Sequence, residues 1–192
     1  MKKEETLKIE CPKERGVKLT YVNVVFLFYL IILVWVIVFK CNANAELNIE
    51  RNLSYTLWQR FTARIIPFQE LYLILSKGSR LPNILAFFFN TIACIPAGML
   101  LGFFLKKRWG LLWSGLFCLS VEVFQLFSGW GGFDPTDLIM NLLGVYLGYL
   151  IFDLLYKRLS VTLINKLSFV CIFISGPIAL FALIRTILNF PV

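Results

Sequence analysis

The sequence predicts an all-α integral membrane protein with about five transmembrane helices, plus an interfacial or re-entrant helical segment after the first span. Three observations carry this. Of 192 residues, 59% are hydrophobic and 16% charged; mean hydropathy is +0.78; and apolar runs of spanning length alternate with basic clusters. A soluble domain carries about a quarter charged residues. Nineteen phenylalanines with no histidine suit a lipid-facing composition, and remove the commonest general base and metal ligand.

Residues 1–20 read as a cytoplasmic tail of mixed charge, and residues 21–39 as the first span. Ala43-Asn44-Ala45 resembles a signal-peptidase site. The apolar run before it is longer than a signal core and its preceding tail is long, so an uncleaved anchor is expected. Residues 40–82 form an outer loop in which Leu53, Leu57, Trp58, Phe61 and Ile65 share one helical face, the pattern of a helix lying in the membrane interface. The Ile66-Pro67 step bends that segment. Spans at 83–105, 110–127, 137–155 and 167–190 follow, with Lys106-Lys107-Arg108 and Lys157-Arg158 closing the second and fourth.

Twelve of the nineteen basic residues fall in the tail and in the loops at 106–108 and 157–166. The excess of lysine and arginine in those loops orients the N-terminus to the cytoplasm and the C-terminus outside. Basic residues that flank apolar runs are orientation determinants, so the net charge of +8 does not indicate nucleic acid. The five cysteines form no CxxC pair, and Cys94, Cys118 and Cys171 lie inside apolar runs as core or lipid-facing residues. No cofactor or metal site is expected.

With this topology, Glu122 lies roughly 8 Å below the outer end of its span, Asn141 roughly 6 Å and Asn90 near 10 Å. Gln125 is the i+3 neighbour of Glu122. Asp134, Asp137 and Asn141 run down one helical face, continued by Gly144 and Gly148. The Gly144-x-x-x-Gly148 and Gly98-x-x-x-Gly102 spacings, near Pro96, favour close helix packing. An ionisable residue at membrane depth needs a partner, and Arg64 on a folded-back outer loop is expected to serve Glu122. Arg185 reads as a snorkelling anchor. Asp134 also reads as an N-cap, with Pro135 in the first turn and Asp137 complementing the helix dipole. Asn90, Gln125 and Asn141 equally suit interhelical hydrogen bonding.

Four ordered blocks resemble the VanZ-like membrane protein family: Arg64-Ile65-Ile66-Pro67-Phe68, Asn90 with Ile95-Pro96-Ala97-Gly98, Ser120-Val121-Glu122-Val123-Phe124-Gln125, and Phe133-Asp134-Pro135-Thr136-Asp137 through Gly144 to Gly148-Tyr149. They place a VanZ-like core at residues 60–156. Two positions depart from the family pattern: Gly132 stands where members often carry a basic residue, and Ile65 where an asparagine is expected. The resemblance implies a bacterial cell-membrane protein linked to teicoplanin-type glycopeptide resistance or envelope-stress tolerance, and it implies no particular reaction.

The reading that follows is non-enzymatic binding of a lipid-linked cell-wall precursor or lipoglycopeptide, in contact with membrane lipids. Its polar cluster would be Arg64, Asn90, Glu122, Gln125, Asp134, Asp137 and Asn141. The alternatives are an intramembrane enzyme using Glu122 and an aspartate as acid and base, and a small transporter. Against catalysis stand the missing histidine and the lack of any activated nucleophile.

Overall fold

A computed structural model describes Val17 and residues 19–39, 54–62, 65–76, 81–129 and 133–188. These residues are helical with no strand: α1 (Leu19–Phe39), α2 (Leu57–Thr62), α3 (Gln69–Ser76), α4 (Leu81–Leu101), α5 (Lys107–Ser128), α6 (Pro135–Arg158) and α7 (Val161–Leu188). Of these, α5, α6 and α7 are each long and apolar enough to cross a membrane. Apolar stretches also lie within α1 (Thr20–Val36) and α4 (Phe88–Leu101), helices of 21 residues each, about the length of a straight crossing.

The long helices form two pairs, α4 with α6 and α1 with α7, while α5 packs mainly on α6. Two chain reversals, before and after α5, make α4 and α6 parallel, and they run in strict register. Asn90 bonds Asp137 and Cys94 bonds Asn141, each pair separated by 47 residues. The small residues predicted for packing lie in this seam. A Cβ on Gly98 would come within 2.0 Å of the Val145 carbonyl oxygen, on Gly144 within 2.2 Å of the Thr91 oxygen, and on Gly148 within 2.1 Å of the Ile95 oxygen. Each obstacle is backbone, so the two main chains touch. Gly102 instead lies under the Phe152 ring, and Pro96, inside α4, faces away from the seam towards the cavity beside α1 and α7.

The buried apolar residues form two layers. Leu33, Cys94, Ala97, Val121, Val145 and Tyr149 join α1, α4, α5 and α6. Val17, Val22, Phe152, Tyr156 and Ile164 join the start of α1 to α6 and α7. The Tyr29 hydroxyl adds a cross-link to the Ala93 carbonyl oxygen. Burial falls from 39% of the apolar window in α6 to 28% in α5 and 11% in α7, so α6 is central and α7 faces outward.

Several boundaries move from their expected places. The 157–166 loop shrinks to Leu159–Ser160 because the Ser160 hydroxyl accepts the Leu163 N–H (3.3 Å) and starts α7 early. The second span stops at Leu101, where Phe103 and Phe104 donate to Leu100 and Leu101 in a tightened last turn. The amphipathic segment breaks at Ile65–Phe68 into α2 and α3, as Ile66-Pro67 suggested.

Alanine at Gly98, Gly144 or Gly148 overpacks a backbone contact, at about 1–3 kcal/mol. That outweighs the roughly 1 kcal/mol that alanine gains over glycine in a helix. Each change is expected to lower the thermal midpoint in detergent, read by a thiol-reactive dye reaching buried Cys94 and Cys118. Gly115→Ala, whose Cβ meets only Leu142 at 3.7 Å, is expected to hold or raise it.

Candidate functional site

The N-terminus of α6 is where the polar residues gather. Asp134 is its N-cap: its carboxylate accepts the Thr136 N–H at 2.9 Å, with Pro135 occupying the first turn. The Asp134 N–H in turn donates to Glu122 Oε2 at 2.8 Å. Glu122, 2% exposed on α5, therefore clamps the start of α6 across the 129–133 reversal. The reversal begins at Gly129, whose φ of 77° ends α5 in the left-handed region that glycine adopts without strain.

Deeper along α6, Asp137 and Asn141 reach α4. Asn90 Nδ2 donates to Asp137 Oδ1 at 2.7 Å, and both residues are half-buried. Below them the Cys94 thiol donates to Asn141 Oδ1 at 3.4 Å, and Thr91 Oγ1 donates to the Met140 carbonyl at 3.0 Å. Cys118 on α5 is buried and lines a small cavity with Cys94 and Val145. Gln125, with no exposed surface, lies one turn above Glu122 on the same α5 face. Six of the seven residues predicted for the cluster, namely Asn90, Glu122, Gln125, Asp134, Asp137 and Asn141, thus lie on three adjoining helix segments.

The seventh, Arg64, and the Arg185 side chain lie outside the described residues. Glu122 accepts a backbone N–H, a role that its sequence context did not suggest. The arginine of this loop that the structure does place is Arg60, whose Nη1 donates to the Leu126 carbonyl at 2.8 Å. A cation there meets the negative end of the α5 dipole.

Two features of the outer segment escaped the sequence reasoning. Thr56 and Gln59 form a reciprocal capping box at the start of α2, with the Gln59 N–H donating to Thr56 Oγ1 (3.3 Å) and the Thr56 N–H to Gln59 Oε1 (2.9 Å). The T-x-x-Q spacing was the available signal. Phe68 takes a φ of 61°, which costs a residue bearing a Cβ on the order of 1–2 kcal/mol. Its N–H donates to Thr136 Oγ1 at 3.0 Å, and Phe61 lies 5.4 Å from Phe133, ring to ring. The outer segment is thereby docked on the α6 cap.

Among the described residues, no three histidine, cysteine, aspartate or glutamate side chains converge closely enough to hold a metal ion. The carboxylates are spread along α5 and α6, each with its own hydrogen-bond donor, rather than facing one point.

The blocks that resemble one family in sequence meet in space. The Ile65–Phe68 turn, Asn90 with Gly98, and Glu122 each touch the block that opens α6, through Thr136, through Asp137 with the Val145 backbone, and through Asp134. A sequence model of VanZ/LLP1 matches residues 26–156, well over half of the chain. The chain belongs to the VanZ/LLP1 family. No curated protein and no solved structure gives a significant match. In this VanZ-like membrane protein the family region starts in α1 and ends in α6, so it contains the α4–α6 seam and the whole polar cluster, and leaves α7 outside.

Glu122→Leu removes the acceptor of a buried N–H, a loss of about 1–3 kcal/mol. Glu122→Gln keeps an acceptor oxygen and is expected to cost less. Thermal midpoints of the two variants in detergent check this; equal midpoints would contradict the clamp.

Proposed function

We propose that this VanZ-like protein spans the bacterial cell membrane five times, and that its polar cluster binds the headgroup of a lipid-linked ligand, supporting glycopeptide or envelope-stress tolerance without catalysis. The observation that carries the reading is the half-buried Asn90–Asp137 pair at 2.7 Å. An acidic side chain inside an apolar bundle is retained where it faces a cavity, a partner or a ligand. Buried Glu122 and Asp134 set the position of α6, while Asp137 and Asn90 stay partly accessible. Together they offer one anionic acceptor and one amide, which suits the hydroxyl and amide groups of a sugar–peptide headgroup.

Two further observations support the placement. Lys106, Lys107 and Arg108 at the start of α5, and Lys157 and Arg158 at the end of α6, lie at the bundle end opposite the cluster. The bias of basic residues to the cytoplasm then puts the cluster in the outer half, with the N-terminus inside and the C-terminus outside. Around it, Trp58 (71% exposed), Ile66 and Tyr72 (72%) present apolar and aromatic surface from the outer segment, as residues at a membrane interface do.

The test is expression in a susceptible Gram-positive host, with teicoplanin and vancomycin susceptibility measured beside membrane abundance. Wild type is expected to protect against teicoplanin. Asp137→Asn is expected to return susceptibility to the empty-host level at equal abundance, with Glu122→Gln weaker in the same direction. Cell-wall precursor masses are expected to be the same with and without expression. Full protection by an Asp137→Asn, Glu122→Gln double variant would refute the site, and an altered precursor would refute the non-catalytic reading.

A further inference from the structure

A second feature lies across α4 from the polar cluster, between the two helix pairs. There α1, α4, α6 and α7 leave a cavity of about 480 Å³. Its α7 wall runs from Ile164 to Ile178 at spacings of three and four residues, about 21 Å at the helical rise. The cavity is therefore a slot along the helices, longer than one leaflet's share of a hydrocarbon core about 30 Å thick.

The lining is almost wholly apolar, and two of its few polar groups bond to backbone. Tyr29 donates to the Ala93 carbonyl, and Ser175 donates to the Cys171 carbonyl at 2.7 Å. Water needs two to four polar partners and finds few here. An empty slot would forfeit dispersion contacts along its length. What fits is a long apolar chain, and a membrane supplies these as lipid acyl chains.

Charge selects the headgroup. Where α6 passes into α7, Tyr156, Leu159 and Leu167 line the slot. Their immediate neighbours in sequence are Lys157, Arg158 and Lys166, all exposed. From Leu154 to Val192 the sequence holds no acidic residue. Such a group attracts anionic headgroups.

We propose that the slot holds one acyl chain of an anionic membrane phospholipid, its phosphate beside Lys157, Arg158 and Lys166. This lipid site is separate from the polar cluster and does not depend on the function assigned to it.

Photolabelling of the full chain tests this, in phosphatidylcholine vesicles doped with phosphatidylglycerol carrying a diazirine on one acyl chain. Peptide mass spectrometry is expected to find adducts at Met99, Phe103 and Cys171 several-fold more often than at outward-facing Phe173 and Leu180, which are 67% and 59% exposed. The same reporter chain on phosphatidylcholine is expected to label the slot less. Cys171→Trp and Ser175→Trp fill the slot and should abolish its adducts while sparing those at Phe173. A Lys157→Gln, Arg158→Gln, Lys166→Gln variant leaves the slot intact and should bring the phosphatidylglycerol signal down to the phosphatidylcholine level. Adducts as frequent at Phe173 and Leu180 as in the slot of the wild type would overturn the site, even if the tryptophan variants fail to fold. Equal labelling by the two wild-type reporters would overturn the anionic headgroup.

Discussion

The rest of the structure depends on the backbone contact between α4 and α6. Inside a bilayer there is no hydrophobic gain from bringing two apolar helices together, so association rests on close packing and interhelical hydrogen bonds. Gly98, Gly144 and Gly148 permit that packing by removing side chains where main-chain carbonyls must pass. Once the backbones touch, the axial offset is set. The 47-residue register then repeats from Asn90–Asp137 to Cys94–Asn141, and no hydrogen bond above the glycines would form in a slipped pair. The glycine seam and the polar cluster are thus one device, with shape fixing the register and polarity reading it out.

The polar residues divide by role. Glu122 and Asp134 are buried and act on the backbone, one holding the start of α6 to α5 and the other capping it. Asp137 and Asn90 are less enclosed and bond each other side chain to side chain. The outer segment closes the arrangement: Phe68, in a strained backbone conformation, is held by Thr136, and Arg60 by the end of α5. The three earlier family blocks therefore meet the fourth where α6 begins. The α1–α7 pair stands apart from this. Its outer member lies beyond the family region, and the gap it leaves is lined by apolar groups that offer a polar ligand little.

Sequence alone was sufficient for the membrane class, the helical content and the break at Ile66-Pro67, because hydropathy and proline geometry act locally. It was sufficient also for the N-cap at Asp134, since the Asp-Pro-Thr-Asp order is a local helix-start signal. It marked the small-residue stripes and named the polar residues of α4, α5 and α6, because helical periodicity places each on a face. Helix ends were less legible. Thr162, Asn165 and Lys166 look like loop by polarity, but they occupy the first turns of α7 after a serine cap.

Partnership was decided only by the tertiary structure. A charge-based reading seeks an arginine for Glu122, and Arg64 lies outside the described residues; what the described residues bring to Glu122 is the Asp134 N–H. Cys94 and Thr91 look like ordinary apolar or small positions in sequence, and become polar partners because α4 turns them towards α6. Periodicity fixes which face a residue is on, whereas the face opposite is chosen by how closely two backbones can approach. For this protein that choice is made at Gly98, Gly144 and Gly148.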